Sequence, residues 1–168
     1  MKSLSILLYD LPEAVAARVR WLAPLLARIA VGYVFLMTGW GKLHALDQIT
    51  GYFASLGIPY PEIQAPFVAT VELVCGAMVL LGLFTRIAAL PLIGTMVVAT
   101  ATAQWPNVSN LAGFLGLVEV LYIVFFAWLA IEGPGPVSLD AVVRPLLGGE
   151  RTAPEEARGA RRHLAANW

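Results

Sequence analysis

Charge is scarce in this sequence. Asp, Glu, Lys and Arg make up 13% of its 168 residues, about half the roughly 25% of an ordinary globular domain. Apolar residues reach 59%. One soluble domain of this length cannot hide that much apolar surface, so the solvent this chain suits is lipid. An excess of either sign is missing too. The 11 basic residues balance 11 acidic ones, so nothing points to nucleic-acid binding. Cysteine is nearly absent: Cys75 stands alone, so an internal disulfide and CxxC redox chemistry are both excluded. Haem-ligand pairs and nucleotide-binding loops are missing as well. A cleavable leader is not expected. In "MKSLSILLYDLPEAVAARVR" the apolar stretch Leu4–Tyr9 is short, and Asp10, Pro12 and Glu13 interrupt it. Residues 1–20 read as a retained, partly amphipathic segment on the cytoplasmic membrane surface.

Long apolar runs are what the chain does have. A span needs about 20 mostly apolar residues. Four windows fit: about Trp21–Gly41, Gln64–Phe84, Ile87–Ala103 and Leu111–Ile131. The third is the shortest and contains Pro91, which a membrane helix tolerates better than a soluble one. "GLFTR" leaves almost no loop between the second and third spans, so these form a tight hairpin. "QWPNVSN" is a short polar connector. The first loop is longer, with "ALDQITGYFASL" as a short interfacial helix and "GIPYPE" as a turn. The helix is either a lid over the bundle mouth or a connector. The expected fold is therefore an all-α membrane four-helix bundle with a short interfacial helix in its first loop. Residues 1–20 precede the membrane domain at 21–143, and a cytoplasmic tail follows at 144–168. From about Gly148 that tail reads as mobile or weakly helical.

Orientation follows from the basic residues. With the N-terminus inside, ten of the eleven fall on the cytoplasmic side, and Lys42 alone lies outside. The expectation is a multi-pass protein of the bacterial inner membrane with both termini cytoplasmic. Trp21, Trp40, Trp105 and Tyr60 fall near the interfaces and read as anchors.

Between Ile29 and Ile131 the charged residues are Lys42, Asp47, Glu62, Glu72, Arg86 and Glu119. Glu72 is the one charge in "APFVATVELVCGAMVLLGLF". Helical spacing places it on a stripe with Val68, Cys75, Val79, Gly82 and Arg86. The first span gives Arg28, Gly32, Phe35, Gly39 and Lys42; the third gives Thr95 among Ala88, Leu92, Ala99 and Thr102; the fourth gives Glu119 and Tyr122 with Leu115, Phe126 and Leu129. Glu72 and Glu119 each lie eight residues inside the outer end of their span, about 12 Å deep. Thr95 reaches a similar depth, and Lys42 sits at the mouth. A carboxylate at that depth must be paired or protonated, and it faces the bundle. The candidate polar intramembrane site is thus Glu72, Glu119, Lys42, Arg28, Tyr122 and Thr95, with Lys42 or Arg28 as the base.

"LLARIAVGYVFLMTGWGKL", "PFVATVELVCGAMVLLGLFTR" and "GPGPVSLD" together resemble the DoxX family of small four-helix membrane proteins, over about Leu25–Val143. The family pattern falls on Arg28, Gly39, Lys42, Glu72, Gly76, Gly82, Arg86, Gly133, Gly135, Ser138, Leu139 and Asp140. Val137 stands where an aromatic or polar residue is usual. The resemblance implies an accessory subunit of a membrane redox system, linked in some members to thiosulfate-to-quinone electron transfer and in others to thiol and oxidative-stress complexes. A partner redox protein or a homo-oligomer is then expected beside the lipid bilayer.

Two readings of the polar site stand side by side. In one, Glu72 and Glu119 only hold the bundle together by ion pairs and hydrogen bonds. In the other they belong to a quinone-headgroup or proton-relay site, with Tyr122, Thr95 and Lys42 supplying donors. A catalytic residue is not assigned, and quinone is the one candidate cofactor. The alternative function is a non-redox bundle that transports or shelters a small molecule or scaffolds a partner. Cys75 reads as a small core residue. Metal readings are disfavoured: His44 would have to reach about 12 Å inward to join the glutamates, and Cys75 with Met37 or Met78 makes a poor copper site.

Overall fold

The computed structural model describes residues 11–146. Every regular element among them is helical. In chain order these are α1 (Leu11–Val19), α2 (Leu22–His44), α3 (Leu46–Ser55), α4 (Pro61–Leu81), α5 (Thr85–Ala99), α6 (Leu111–Leu115), α7 (Val118–Glu132) and α8 (Leu139–Leu146). The first ten residues of the expected N-terminal segment, and the tail beyond residue 146, lie outside the described residues.

The bundle is assembled pairwise. α2 packs along α4, α5 packs along α7, and the α4–α5 hairpin joins the two pairs. Small residues set the first seam. A Cβ on Gly32 would come 2.6 Å from the Leu80 backbone nitrogen, and one on Gly76 2.5 Å from that of Leu36. The two backbones therefore approach as only glycine allows, which is how helices associate where lipid removes the hydrophobic drive. Phe35, Val79, Leu92, Phe126 and Leu129 fill the centre. Phe35 meets Phe126 edge to face at 4.9 Å. Outward faces remain apolar, with Leu26, Ile29, Ile63, Ile87, Leu90 and Val124 all exposed. An apolar exterior around an apolar core is the pattern of helices in a bilayer.

Three helical segments, Leu22–His44, Pro61–Leu81 and Thr85–Asn107, are long and apolar enough to cross a membrane. Four were expected, and two of the four differ. The third is not the shortest: α5 continues through a π turn at Thr100–Gln104 and a 3₁₀ turn at Trp105–Asn107, to 23 residues in all. "QWPN" reads as a connector by composition. Here the helical path runs on into it, and the Thr100 and Thr102 hydroxyls bond back to the carbonyls of Met96 and Val98. The fourth is broken. Asn110 caps α6 early, its side chain accepting from the Gly113 N–H at 2.8 Å. The helix ends at Gly116, and Leu117 is extended at φ −66°, ψ 134°. The 15 residues of α7 cover about 22 Å, short of a hydrocarbon core of about 30 Å.

The α4–α5 turn is tight for a stated reason. Gly82 sits at φ 71°, in the left-handed region that glycine enters without a Cβ clash. The N–H of Leu83 then donates to Met78 O at 2.8 Å and that of Gly82 to Val79 O at 3.1 Å. These are the two bonds of a Schellman stop.

Candidate functional site

One end of the bundle holds a cavity of about 610 Å³. Its walls are the last turns of α2, the first half of α4, the later half of α5 with its π turn, and the first turn of α7. The fifth contributor is the first loop. Ile49, Tyr52 and Phe53 of α3, with Leu56 and Ile58 after it, cover one side. Phe35 belongs to both the lining and the core, so the cavity rests on packed side chains.

Charged groups are few and sit in two places. On the α2–α4 side, Lys42 Nζ donates to both oxygens of Glu72, each at 2.6 Å. The Glu72 side chain is 2% exposed and that of Lys42 28%, so the lysine end stays nearer the mouth. This arrangement compensates a carboxylate that lipid would otherwise make costly. On the α5–α7 side, Glu119 Oε1 accepts from Gln104 Nε2 at 2.9 Å. Glu119 Oε2 is buried and has no partner. Among the described residues the ion pair is Lys42 with Glu72, and no hydrogen bond joins the two glutamates. They face one cavity as separate stations.

Thr95 and Tyr122 also line it. The Thr95 hydroxyl donates to Leu92 O at 2.9 Å, so its proton is spent on the backbone. The Tyr122 ring stands edge to face on Phe35, centroids 5.1 Å apart. Gln104, which bonds Glu119, is a lining residue that the sequence reading missed. It sits in an apparent connector, and the π turn that carries it inward leaves no mark in composition. Such turns are frequent at functional sites. The one available signal was a neutral polar residue at the same end as Glu119.

Arg28 is not part of this group. It is 1% exposed and donates from Nε to Pro24 O at 3.3 Å and from Nη2 to the Val137 carbonyl. Its place on α2 is fourteen residues before Lys42, about 21 Å along the axis. The guanidinium therefore works at the opposite end, where three sequence motifs meet. Asp140 Oδ1 accepts from the Phe84 N–H at 2.8 Å and Oδ2 from that of Thr85 at 3.4 Å, while the Asp140 N–H donates to Gly82 O at 2.9 Å. Arg86 donates to Ala130 O at 3.3 Å and Glu132 O at 3.2 Å. "GLFTR", "GPGPVSLD" and Arg28 thus form a clasp that ties α8 and the end of α7 to the α4–α5 turn.

His44 is spent at the surface, its Nδ1 2.9 Å from Trp40 O and its ring 4.3 Å from the Trp40 ring. Cys75 is partly buried against the core. Among the described residues, no three His, Cys, Asp or Glu side chains converge as a metal-ligand set.

Comparison with known proteins agrees with the membrane architecture. The DoxX family model matches residues 23–105. The chain is 38% identical over 127 residues to the uncharacterized membrane protein Rv3486 of Mycobacterium tuberculosis, covering 67% of this chain and 76% of the relative. It is 35% identical to the inner membrane protein YphA of Escherichia coli, covering 69% and 86%. It is 30% identical to a Bacillus subtilis protein named "Putative oxidoreductase CatD", covering 71% and 85%. No solved structure matches.

Proposed function

This chain belongs to the DoxX family of membrane proteins, and we propose that it is a membrane subunit of a redox system that holds a quinone in the cavity between α2, α4, α5 and α7. The observation that carries the reading is a mostly apolar cavity with a lysine–carboxylate pair on one side and an amide–carboxylate pair on the other. Its volume of about 610 Å³ falls within the roughly 300–1,000 Å³ of small-molecule sites. A quinone ring is flat and apolar, with acceptor oxygens at opposite edges, so it fits between two donor stations. Lys42 Nζ uses two donors on Glu72 and keeps one more. Gln104 Nε2 keeps a second N–H, and the Tyr122 hydroxyl adds a third donor.

When bound, a quinone supplies two-electron, two-proton chemistry. The chain's own residues bind, exclude water and hold protons. Phe35 and the α3 side chains keep the ring environment dry, while Glu72 and Glu119 place carboxylate oxygens where a proton has to be taken or given. Electrons come from a partner redox protein, since one cysteine and no cofactor-binding motif leave this chain no donor of its own. The name of the CatD relative supports redox work, and that of YphA supports an inner-membrane setting. The distribution of Lys and Arg supports cytoplasmic termini, with the cavity end facing outward.

The test is extraction. Full-length protein is isolated in native-lipid discs, and its lipid-soluble contents are separated by chromatography. Quinone should be enriched over the surrounding lipid and fall several-fold in Thr95→Trp, whose indole enters the cavity. Equal quinone in discs with and without the protein overturns the reading.

A further inference from the structure

Resting on the quinone reading, we propose that Glu119 selects the ligand's reduced, dihydroxy form over its oxidised form. Three charged side chains line the cavity. Lys42 and Glu72 satisfy each other through two contacts of 2.6 Å. Glu119 has no such cation among the described residues. One of its oxygens takes the Gln104 amide; the other is buried without a donor.

An ionised carboxylate oxygen left orphaned at the wall of an apolar cavity calls for a hydrogen-bond donor; a protonated one would itself donate to a carbonyl and favour the oxidised form. A ring hydroxyl is such a donor. A quinone carbonyl is not; it can take the spare Gln104 N–H or the Tyr122 hydroxyl, but it leaves the Glu119 oxygen without a donor. The opposite station does not discriminate in the same way. Lys42 donates, and a hydroxyl oxygen accepts as readily as a carbonyl does. The choice between the two forms therefore rests on Glu119. A site built to receive a ligand O–H rejects an analogue that lacks it far more strongly than an apolar pocket does. The geometry is fixed from both sides. Glu119 stands in the first turn of α7 just after the extended Leu117, and Gln104 ends the π turn of the facing helix.

The experiment uses full-length protein in lipid discs under anaerobic conditions, with 2-decyl-1,4-benzoquinone and its reduced dihydroxy form as probes. Binding is read by equilibrium dialysis against empty discs. Wild type should hold the reduced form about tenfold more tightly, the scale of one hydrogen bond to a charged group. Glu119→Gln keeps the shape and the Gln104 contact but puts an amide donor where the free oxygen was, and a donor serves a hydroxyl and a carbonyl alike, so the preference should be lost. Equal binding of both forms by wild type, or a preference for the oxidised one, overturns the assignment and leaves the quinone reading standing. Binding of neither form overturns both. Decylammonium binding in place of the dihydroxy form, abolished in Glu119→Gln, overturns it too, since the oxygen then serves an amine. The wild-type comparison decides without any variant, so a poorly folded variant does not shelter the proposal.

Discussion

Lys42 and Glu72 hold each other at 2.6 Å, yet the pair is not a simple gain. Removing two charges from water costs nearly what their attraction returns, whereas removing one partner strands the other. Lys42→Leu should therefore lower unfolding free energy by about 3 kcal/mol, because the Glu72 carboxylate is left almost fully buried. Glu72→Gln should cost less, since an amide still accepts from Lys42. The double variant Lys42→Leu/Glu72→Leu should return most of the loss. Denaturant unfolding in detergent measures all three, and a Lys42→Leu protein as stable as wild type shows that the pair does not support the bundle. That Glu72 needs a base was readable from its depth in an apolar run. Which base was not. Arg28 and Lys42 share one helical stripe, but Arg28 lies about 21 Å from Lys42 along the axis and turns the other way, to the Pro24 and Val137 carbonyls. Gln104 was illegible for a similar reason: its inward aim depends on one extra residue per turn, which no hydropathy pattern records.

The elements divide along the same line. α2 and α4 follow from uninterrupted apolar runs bounded by Pro, Gly and charge, and the structure keeps them within a few residues of expectation. The end of α5 and the α6–α7 break were not legible, because backbone hydroxyl bonds and one asparagine cap outweigh composition there. Asp140 illustrates how an element is held by a remote residue. It closes the first N–H groups of α5, a helix whose own N-cap position, Phe84, has no side-chain acceptor. Asp140→Ala should lower stability by about 1 kcal/mol, as for a lost N-cap. Hydrogen exchange should also quicken at Phe84, Thr85 and across α8, while α2 stays protected. Unchanged exchange in α8 contradicts the clasp. Gly82→Ala should be worse, since it adds a Cβ at φ 71° within reach of both Arg28 and Ser138.

At the scale of the whole molecule, the two ends of the bundle carry different polar groups, and orientation determines which compartment meets which. Ser109 is exposed beyond the end of α5, and Arg18 is exposed in α1. In a Cys75→Ala background, Ser109→Cys should react with an impermeant maleimide added to intact cells, and Arg18→Cys only after permeabilisation. The reverse pattern sinks the outward-facing cavity. The separation of the clasp from the cavity has a consequence for inheritance. Gly82, Arg86 and Asp140 make the turn recognisable, yet among the described residues none of their hydrogen bonds reaches a side chain that lines the cavity. The match to the family model, residues 23–105, stops before Glu119 and Tyr122. A descendant can therefore rewrite one wall of its binding chamber and still be identified by its kin, so shared ancestry here transmits a chassis and leaves the cargo open to change.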